Sequence, residues 1–325
     1  MNIKLCTKKE LCQLMFFIGK FWKKNHILSK NKKFFNWQFY NPITKKYNFL
    51  ICIKNKRIVG CLGFIPNSQY SKSLKKNDTY WLVNWLTLKN FANPLSLLSK
   101  IFQKNYIIGT TGNTPKTEII LKKLGLKTGY LNHWYFINSN KKKFNLVKDK
   151  IFKRNRKTKN IDFYIKKIIQ LKKLKDVITK KSNKDFIFFI NRYSKHPIYK
   201  YEFYGIFRNN KLKSFFVTRI CKFKKNCAIR IVDYMGNFNN FKNLHSELIR
   251  LLETKNAEYI DLYEYGALID KKKFPFTLNN FKKNIIVPNY YEPFVKKNIK
   301  IRFAYTENSR RLEIFKGDCD QDRPS

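Results

Sequence analysis

Apolar positions along this chain switch between a helical and a strand spacing, and the switches divide it into elements. From Glu10 to Trp22, the residues Leu11, Leu14, Met15, Ile18, Phe21 and Trp22 recur at helical spacing and predict an amphipathic helix. An aromatic cluster from Phe34 to Phe39 follows, with Trp37 expected to pack on the domain. Phe49 to Ile53 and Ile58 to Ile65 read as strands joined by the turn Lys54-Asn55-Lys56-Arg57. Tyr80 to Leu88 is the next strand, Leu95 to Phe102 a helix, and Tyr106 to Thr111 a short buried strand closed by Gly109, Gly112 and Pro115. Thr114 is placed to cap the following helix, whose first turn suits Pro115. Ile119, Ile120, Leu121 and Leu124 carry that helix to Gly125, and Tyr130 to Ile137 returns to strand composition.

Asn138 to Asn160 is polar and basic with little periodicity, and reads as a connection. Beyond it the order repeats. Ile161 to Lys180 and Asp185 to Arg192 are helical candidates, and strand Tyr201 to Arg208 leads through Asn209-Asn210 into Leu212 to Ile220. Cys227 to Met235 is a third strand, Phe241 to Glu253 a helix with Leu244, Leu248, Leu251 and Leu252 on one face, and Ala257 to Tyr263 a strand. Recurrence of hairpin, strand, helix, strand reads as a degenerate internal duplication. The expected organisation is an α/β chain with domains at 1–140 and 161–325 joined by a basic connection at 141–160.

Composition adds bounds. At 325 residues, with 43% hydrophobic and 17% aromatic content, the chain can bury ample apolar surface. The formal charge of +48 invites a nucleic-acid reading, but the excess is nearly all Lys, in scattered pairs and triplets rather than one helical stripe. Abundant Lys, Asn, Ile and Phe are what an A+T-rich coding sequence yields, so no specific nucleic acid is expected. Seven cysteines are odd in number, include no CxxC pair and have no His at ligand spacing, which fits reduced core residues and no metal site. No apolar run approaches a membrane span, and charges interrupt any leader-like core at the N-terminus. A cytoplasmic protein is expected, whose basic surface is suited to peripheral contact with an anionic membrane.

The segment Asn105 to Asn138, with Lys122-Lys123-Leu124-Gly125-Leu126 between its helix and its last strand, resembles the C-terminal half of a GNAT N-acyltransferase domain. Ile58-Val59-Gly60-Cys61-Leu62-Gly63-Phe64-Ile65-Pro66 looks like the strand that carries a Val-Gly step in that family. Aligning on Gly125 puts Leu121 where the family has a Tyr that protonates the leaving thiolate, and Thr117 where it has Ala. The pyrophosphate loop would fall on Lys89, Ala92 and Pro94, the last without an N–H to donate. Two tandem GNAT-like domains, each a mixed, mostly antiparallel sheet flanked by helices, are the architecture of Fem-type aminoacyl transferases. Three C-terminal phrases, Glu258 to Tyr263, Val287 to Phe294 and Phe315 to Pro324, with Leu131 to Tyr135, look like those of GNAT-related proteins found with bacterial surface-polysaccharide sugar enzymes.

The resemblance implies acetyl-CoA or another acyl-CoA as co-substrate, contacted by Lys89, Ala92 and Asn113. N-acyl transfer needs a base, and Asp233, at the end of the strand that bears it in the family, is the best-placed carboxylate. Its alternative is a turn or cap residue. His133 reads as a packed core residue or an acceptor contact, and Glu264 and Asp261 flank a strand end on opposite faces. His196 has no evident partner, while His26 and His245 read as surface residues. Asn289, Tyr290 and Glu292, on a loop pinned by Pro288 and Pro293, suit a sugar or nucleotide. The acidic run Asp318, Asp320, Asp322 with Arg323 reads as an internal ion-pair element.

The expected function is acyl-CoA-dependent N-acyltransfer to an amino sugar, nucleotide-linked, in surface-polysaccharide synthesis. A Fem-type transferase drawing on aminoacyl-tRNA and an inactive scaffold in a biosynthetic complex are the alternatives.

Overall fold

The structure is a computed structural model and describes residues 2–89, 93–102, 107–148, 163–179, 182–281, 285–289, 295–307 and 312–324. The first half contributes strands β1 (Asn2–Leu5), β2 (Phe49–Lys54), β3 (Arg57–Pro66), β4 (Thr79–Thr87), β5 (Ile107–Thr111), β6 (Lys127–Tyr130) and β7 (Asn132–Ile137). Its helices are α1 (Leu11–Phe21), α2 (Lys32–Phe39), α3 (Pro94–Phe102) and α4 (Pro115–Lys123). The second half supplies β8 (Phe163–Lys167), β9 (Tyr201–Arg208), β10 (Lys211–Phe223), β11 (Asn226–Gly236), α5 (His245–Thr254), β12 (Tyr259–Tyr265), β13 (Thr277–Leu278), β14 (Arg302–Tyr305) and β15 (Ile314–Phe315).

These strands form two large sheets, both mostly antiparallel and flanked by helices, so the α/β class expected from periodicity is the one observed. The first sheet runs β1-β2-β3-β4-β5-β14-β6, and the second β8-β9-β10-β11-β12-β7-β13 with β15 on β12. Each sheet therefore contains one strand from the other half. The run Tyr130 to Ile137, expected to be one strand, is split at Leu131. Tyr130 pairs with Arg302 in the first sheet, while Asn132 pairs with Glu264 in the second. Arg302–Tyr305 crosses the other way and lies between β5 and β6.

Side-chain alternation explains the layers. On β2, Phe49 and Ile51 join a core shared by both sheets, while Leu50 and Cys52 face the opposite side. The shared core also holds Leu14 and Phe17 of α1, Phe34 and Phe35 of α2, Trp81 of β4, and Phe215, Val232 and Tyr263 of the second sheet. Helices α3 and α4 cover the far face of the first sheet through Leu97, Leu98, Ile101 and Leu121. Helix α5 covers the far face of the second through Leu248, Ile249, Leu251 and Leu252. Trp81 packs flat on Gly109, where a β-carbon would come within 2.6 Å of its ring.

Local chemistry accounts for most boundaries. Asn55 and Lys56 (φ +50° and +60°) and Asn209 and Asn210 (φ +49° and +59°) supply the left-handed pairs that tight hairpins need. Thr114 caps α4 through Thr117 N, with Pro115 opening the helix. Of the stretch read as a helix from Ile161 to Lys180, the described residues 163–179 hold strand β8 followed by a 3₁₀ segment, Leu171–Asp176. Its backbone finds better partners as an edge strand: β9 on one side, and Glu247 and Arg250 of α5, which bond Ile165 N and Ile165 O, on the other. Among the described residues no helix is long and apolar enough to cross a membrane.

Because the sheets exchange strands and share one core, heat or urea is expected to unfold the chain in a single cooperative transition. Calorimetry resolving two separate transitions would contradict that coupling.

Candidate active site

The site is built where parallel strands part. β4 and β5 pair only at Thr79–Ile107, Tyr80–Ile108 and Trp81–Gly109. β11 and β12 likewise pair only at Ile229–Ile260, Arg230–Asp261 and Ile231–Leu262. Each pair leaves a splay toward its C-terminal ends, and a bulge marks the departing strand in both sheets. In β4 the bulge lies between the Gly63–Val83 and Cys61–Leu86 pairs, at Asn84, whose φ is +48°. In β11 it lies between the Val217–Asp233 and Thr218–Ile231 pairs, at Val232.

The C-terminal segment enters both splays. β15 pairs with Glu264 and Tyr265 of β12, and Gly317 N donates to Val232 O at 2.7 Å, so the second splay is filled by backbone. Farther on, the Cys319 thiol donates to Leu82 O at 3.5 Å and Gln321 Nε2 to Thr111 O at 3.2 Å, which bridges the first splay with side chains only. Asp318 stands between these two crossings. The ion-pair role read from the acidic run is what is observed: Arg219 holds Asp322 at 2.7 Å, Arg192 donates to Gly317 O at 3.0 Å, and Arg323 pairs with Asp320.

Asp233 is fully buried. Its two oxygens each accept from Lys184 Nζ at 2.9 Å, and further bonds come from Tyr193 OH at 2.6 Å and its neighbour Tyr234 N at 2.9 Å. Lys184 Nζ also lies 2.8 Å from Asp318 Oδ1. Burial disfavours the ammonium, but Asp233 and Asp318 together outweigh it and raise the Lys184 pKa. Burial, with Asp233 close by, pushes the Asp318 carboxyl up despite Lys184. The sequence gives Asp233 the place of a base. The structure places it in a saturated ion-pair set that anchors the C-terminal segment.

A second buried set lies along β7 and β12. His133 Nδ1 accepts from Asn279 Nδ2 at 3.1 Å, its ring stacks on Tyr263 at 4.4 Å, and Nε2 lies 3.4 Å from Asp261 Oδ2. Burial lowers the His133 pKa beyond what Asp261 restores. Asp261 is opposed by burial but held below the usual carboxylate range by Arg230, 3.1 Å away, and by His133. Lys316 Nζ donates to Asn289 O at 3.0 Å over the face of Tyr263. Burial first, and then Arg230, bring its pKa down to about 7. Asn289 is buried and clamps Ile299 through both backbone groups. Glu264 accepts from Asn132 Nδ2, Trp134 Nε1 and Ala267 N, so it ties β7 to β12. Tyr290 and Glu292 lie outside the described residues, as does Ala92.

The remaining histidines are corrected. His26 is buried and caps a short helical turn through Leu28 N, and His196 Nδ1 accepts from Ile198 N and Tyr199 N while its ring stacks on Tyr199. His245 is half-buried against Phe136.

In the first half, Lys89 is exposed just past β4, and Asn113 follows β5, its Oδ1 accepting from Thr110 Oγ1 at 3.0 Å. Among the described residues, Asn113 Nδ2, Trp85 Nε1 and both amide atoms of Asn84 are buried without a hydrogen-bond partner. Such groups cost stability unless something answers them. On the helical side of the same sheet, an open groove of ≈ 340 Å³ runs between the start of α3 and the end of α4, lined by Asn93, Pro94, Leu95, Ile120, Lys123 and Leu124.

Solved structures place this arrangement. A conserved protein of unknown function from Enterococcus faecalis V583, a probable N-acyltransferase, superposes with a TM-score of 0.54 at 8% identity over 93% of this chain and 71% of its own. A GCN5-related N-acetyltransferase from Anabaena variabilis gives 0.54 at 9% identity, over 94% and 72%. The fold is GNAT-like. No family model and no curated protein matches the sequence, so this GNAT likeness is one of fold.

Reasoning from sequence missed Lys184, Arg192, Arg219, Arg230 and Lys316, the buried cations that hold both sets. The signal that could have found one of them is Arg230, a charge set between Ile229 and Ile231 in a strand that also carries Asp233.

Asp233→Asn should leave Lys184 buried with Asp318 alone and destabilise the chain by about 2–4 kcal/mol in urea unfolding. An unchanged midpoint would refute the anchoring role. For Lys316 the sign follows from its lowered pKa: between about 7 and 10.5 the unfolded chain holds one more proton than the folded chain, so stability rises with pH across that window. Lys316→Met should be the more stable protein near pH 7, with the difference closing as pH approaches 10. A pH-independent difference would show that Lys316 is charged throughout.

Proposed function

We propose that this chain transfers an acyl group from a CoA thioester to an amine, with the donor held in the splay between β4 and β5. The observation that carries the reading is Asn84, whose left-handed bulge interrupts the β3–β4 pairing three residues past the last β4–β5 pair and whose buried amide is unanswered on both sides. A pantetheine arm is a chain of amides and would answer it. Asn113 Nδ2 and Trp85 Nε1 are further orphaned donors on the same two strands' ends, and the α3–α4 groove beyond them suits the nucleotide end. Lys89 is the nearby cation for phosphate. The β11–β12 splay is a poorer candidate, since β15 and Gly317 already occupy it.

Bound acyl-CoA would supply an acyl carbon activated as a thioester. The acceptor nitrogen attacks that carbon, the C–S bond breaks, the thiolate leaves, and the nitrogen's proton passes to a carboxylate. Asp318 is our candidate acceptor. Its Oδ1 meets Lys184 at 2.8 Å and its Oδ2 accepts from Phe315 N at 2.8 Å, its pKa is raised, and it stands between the two splays. Asp233 then positions Asp318 through Lys184. Leu121 supplies no proton, so the thiolate leaves without the family's usual acid.

For the acceptor we propose an amino sugar, nucleotide-linked, in surface-polysaccharide synthesis, on two copies of one acyl-transfer scaffold. That part rests on the sequence phrases around Glu258, Val287 and Phe315. A scaffold role is the second reading, favoured by the chain's own filling of the β11–β12 splay.

Thermal shift with acetyl-CoA should raise the melting temperature of the wild type by mass action and leave Asn84→Ala unmoved. Release of free thiol in the presence of nucleotide-linked amino sugars should follow, falling at least a hundredfold in Asp318→Asn. Absence of any shift at millimolar acetyl-CoA would sink the donor site and leave the scaffold reading.

A further inference from the structure

The outer end of α1 carries a surface that acyl transfer does not use. Phe16 is 66% exposed, Phe21 41% and Trp22 40%, in a fold whose other aromatic rings are largely interior. Lys20 Nζ joins two of them, sitting over the rings of both Phe16 and Phe21, at 5.7 and 5.3 Å, and Trp22 follows at the end of the helix. From Lys20 to Asn25 every residue is exposed, which adds Lys23 and Lys24 beside Trp22. Gln13, one turn before Phe16, donates to Lys56 O at 3.0 Å and so brings the exposed turn Lys54-Asn55-Lys56-Arg57 alongside the helix.

The charge around this patch has one sign. Between Glu10 and Asp78 the sequence holds fourteen Lys and Arg and neither Asp nor Glu. A partner must therefore be anionic, and it must also take bulky rings without offering pockets for them. Phosphate backbones satisfy the first condition. A lipid surface satisfies both, because Trp and Phe settle at the headgroup boundary while Lys stems reach the headgroups.

We infer that the Phe16–Lys24 end of α1 docks on an anionic lipid bilayer, with Phe16, Phe21 and Trp22 entering the interface and Lys20, Lys23, Lys24 and the Lys54–Arg57 turn holding the headgroups. This docking does not depend on the acyl-transfer assignment.

The test is cosedimentation of the full chain with vesicles of phosphatidylcholine alone and with about 30% phosphatidylglycerol, at low salt and at about 150 mM. Binding should require phosphatidylglycerol, weaken with salt, and persist at the higher salt because the rings are inserted. Phe16→Ser/Trp22→Ser, both at exposed positions, should fold with the wild-type circular dichroism and melting temperature yet lose about tenfold in partitioning. Brominated lipid should quench a component of the tryptophan emission that Trp22→Ser lacks. Wild-type binding abolished at the higher salt, equal partitioning by the double variant, or no Trp22-dependent quenching would each overturn the inference. So would a short RNA duplex that displaces the protein from vesicles at physiological salt, since the patch would then be a nucleic-acid surface.

Discussion

Two parallel strand pairs that part after three residues set the terms for the rest of this protein. Once β4 leaves β5, and β11 leaves β12, the carbonyls of Leu82, Thr111 and Val232 face no neighbouring strand, and a buried carbonyl without a donor is costly. Gly317 N, the Cys319 thiol and Gln321 Nε2 meet all three from a single segment. That segment brings acidic side chains into the interior, and they in turn require buried cations. Lys184, Arg192 and Arg219 are where they are because Asp318, the Gly317 and Cys319 carbonyls, and Asp322 must be answered.

The electrostatics of the outside follow from this interior. Asp78, Asp233, Glu258, Asp261, Glu264, Asp318, Asp320 and Asp322 are all buried, in a chain with 21 acidic and 69 basic residues. Acids withdrawn to the core cannot offset surface lysines, so the exterior is more one-sided than the net charge alone conveys. Glu258 illustrates the internal use of carboxylates, since it accepts from Asn145 N, Leu146 N and Val147 N and fixes the chain leaving β7.

Elements that read correctly from sequence are those whose signals are local. The Asn55-Lys56 and Asn209-Asn210 turns, the Thr114-Pro115 helix start and the apolar face of α5 need only neighbouring residues to specify them. What failed depends on partners far away in the chain. Ile161 to Lys180 has helical spacing, yet Phe163–Lys167 is a strand because β9, Glu247 and Arg250 supply its backbone partners. Tyr130 to Ile137 has unbroken strand composition, and nothing in it marks Leu131 as the crossing between sheets. At the site, Asp233, His133, Glu264 and Asn289 were singled out as chemistry-bearing, and each proved to be buried and bonded. The lysines that bond Asp233 and Asn289, Lys184 and Lys316, were hidden by the abundance of lysine.

The exchanged strands also order events during synthesis. β14, which must lie between β5 and β6, is made only after β7 to β13, so a nascent chain emerging from the ribosome carries a first sheet with an open slot until residues 302–305 appear. β7, meanwhile, waits for β12 to be made before it has a partner. Such unpaired edges are where neighbouring nascent chains associate wrongly. Exposed lysines of like charge oppose such association.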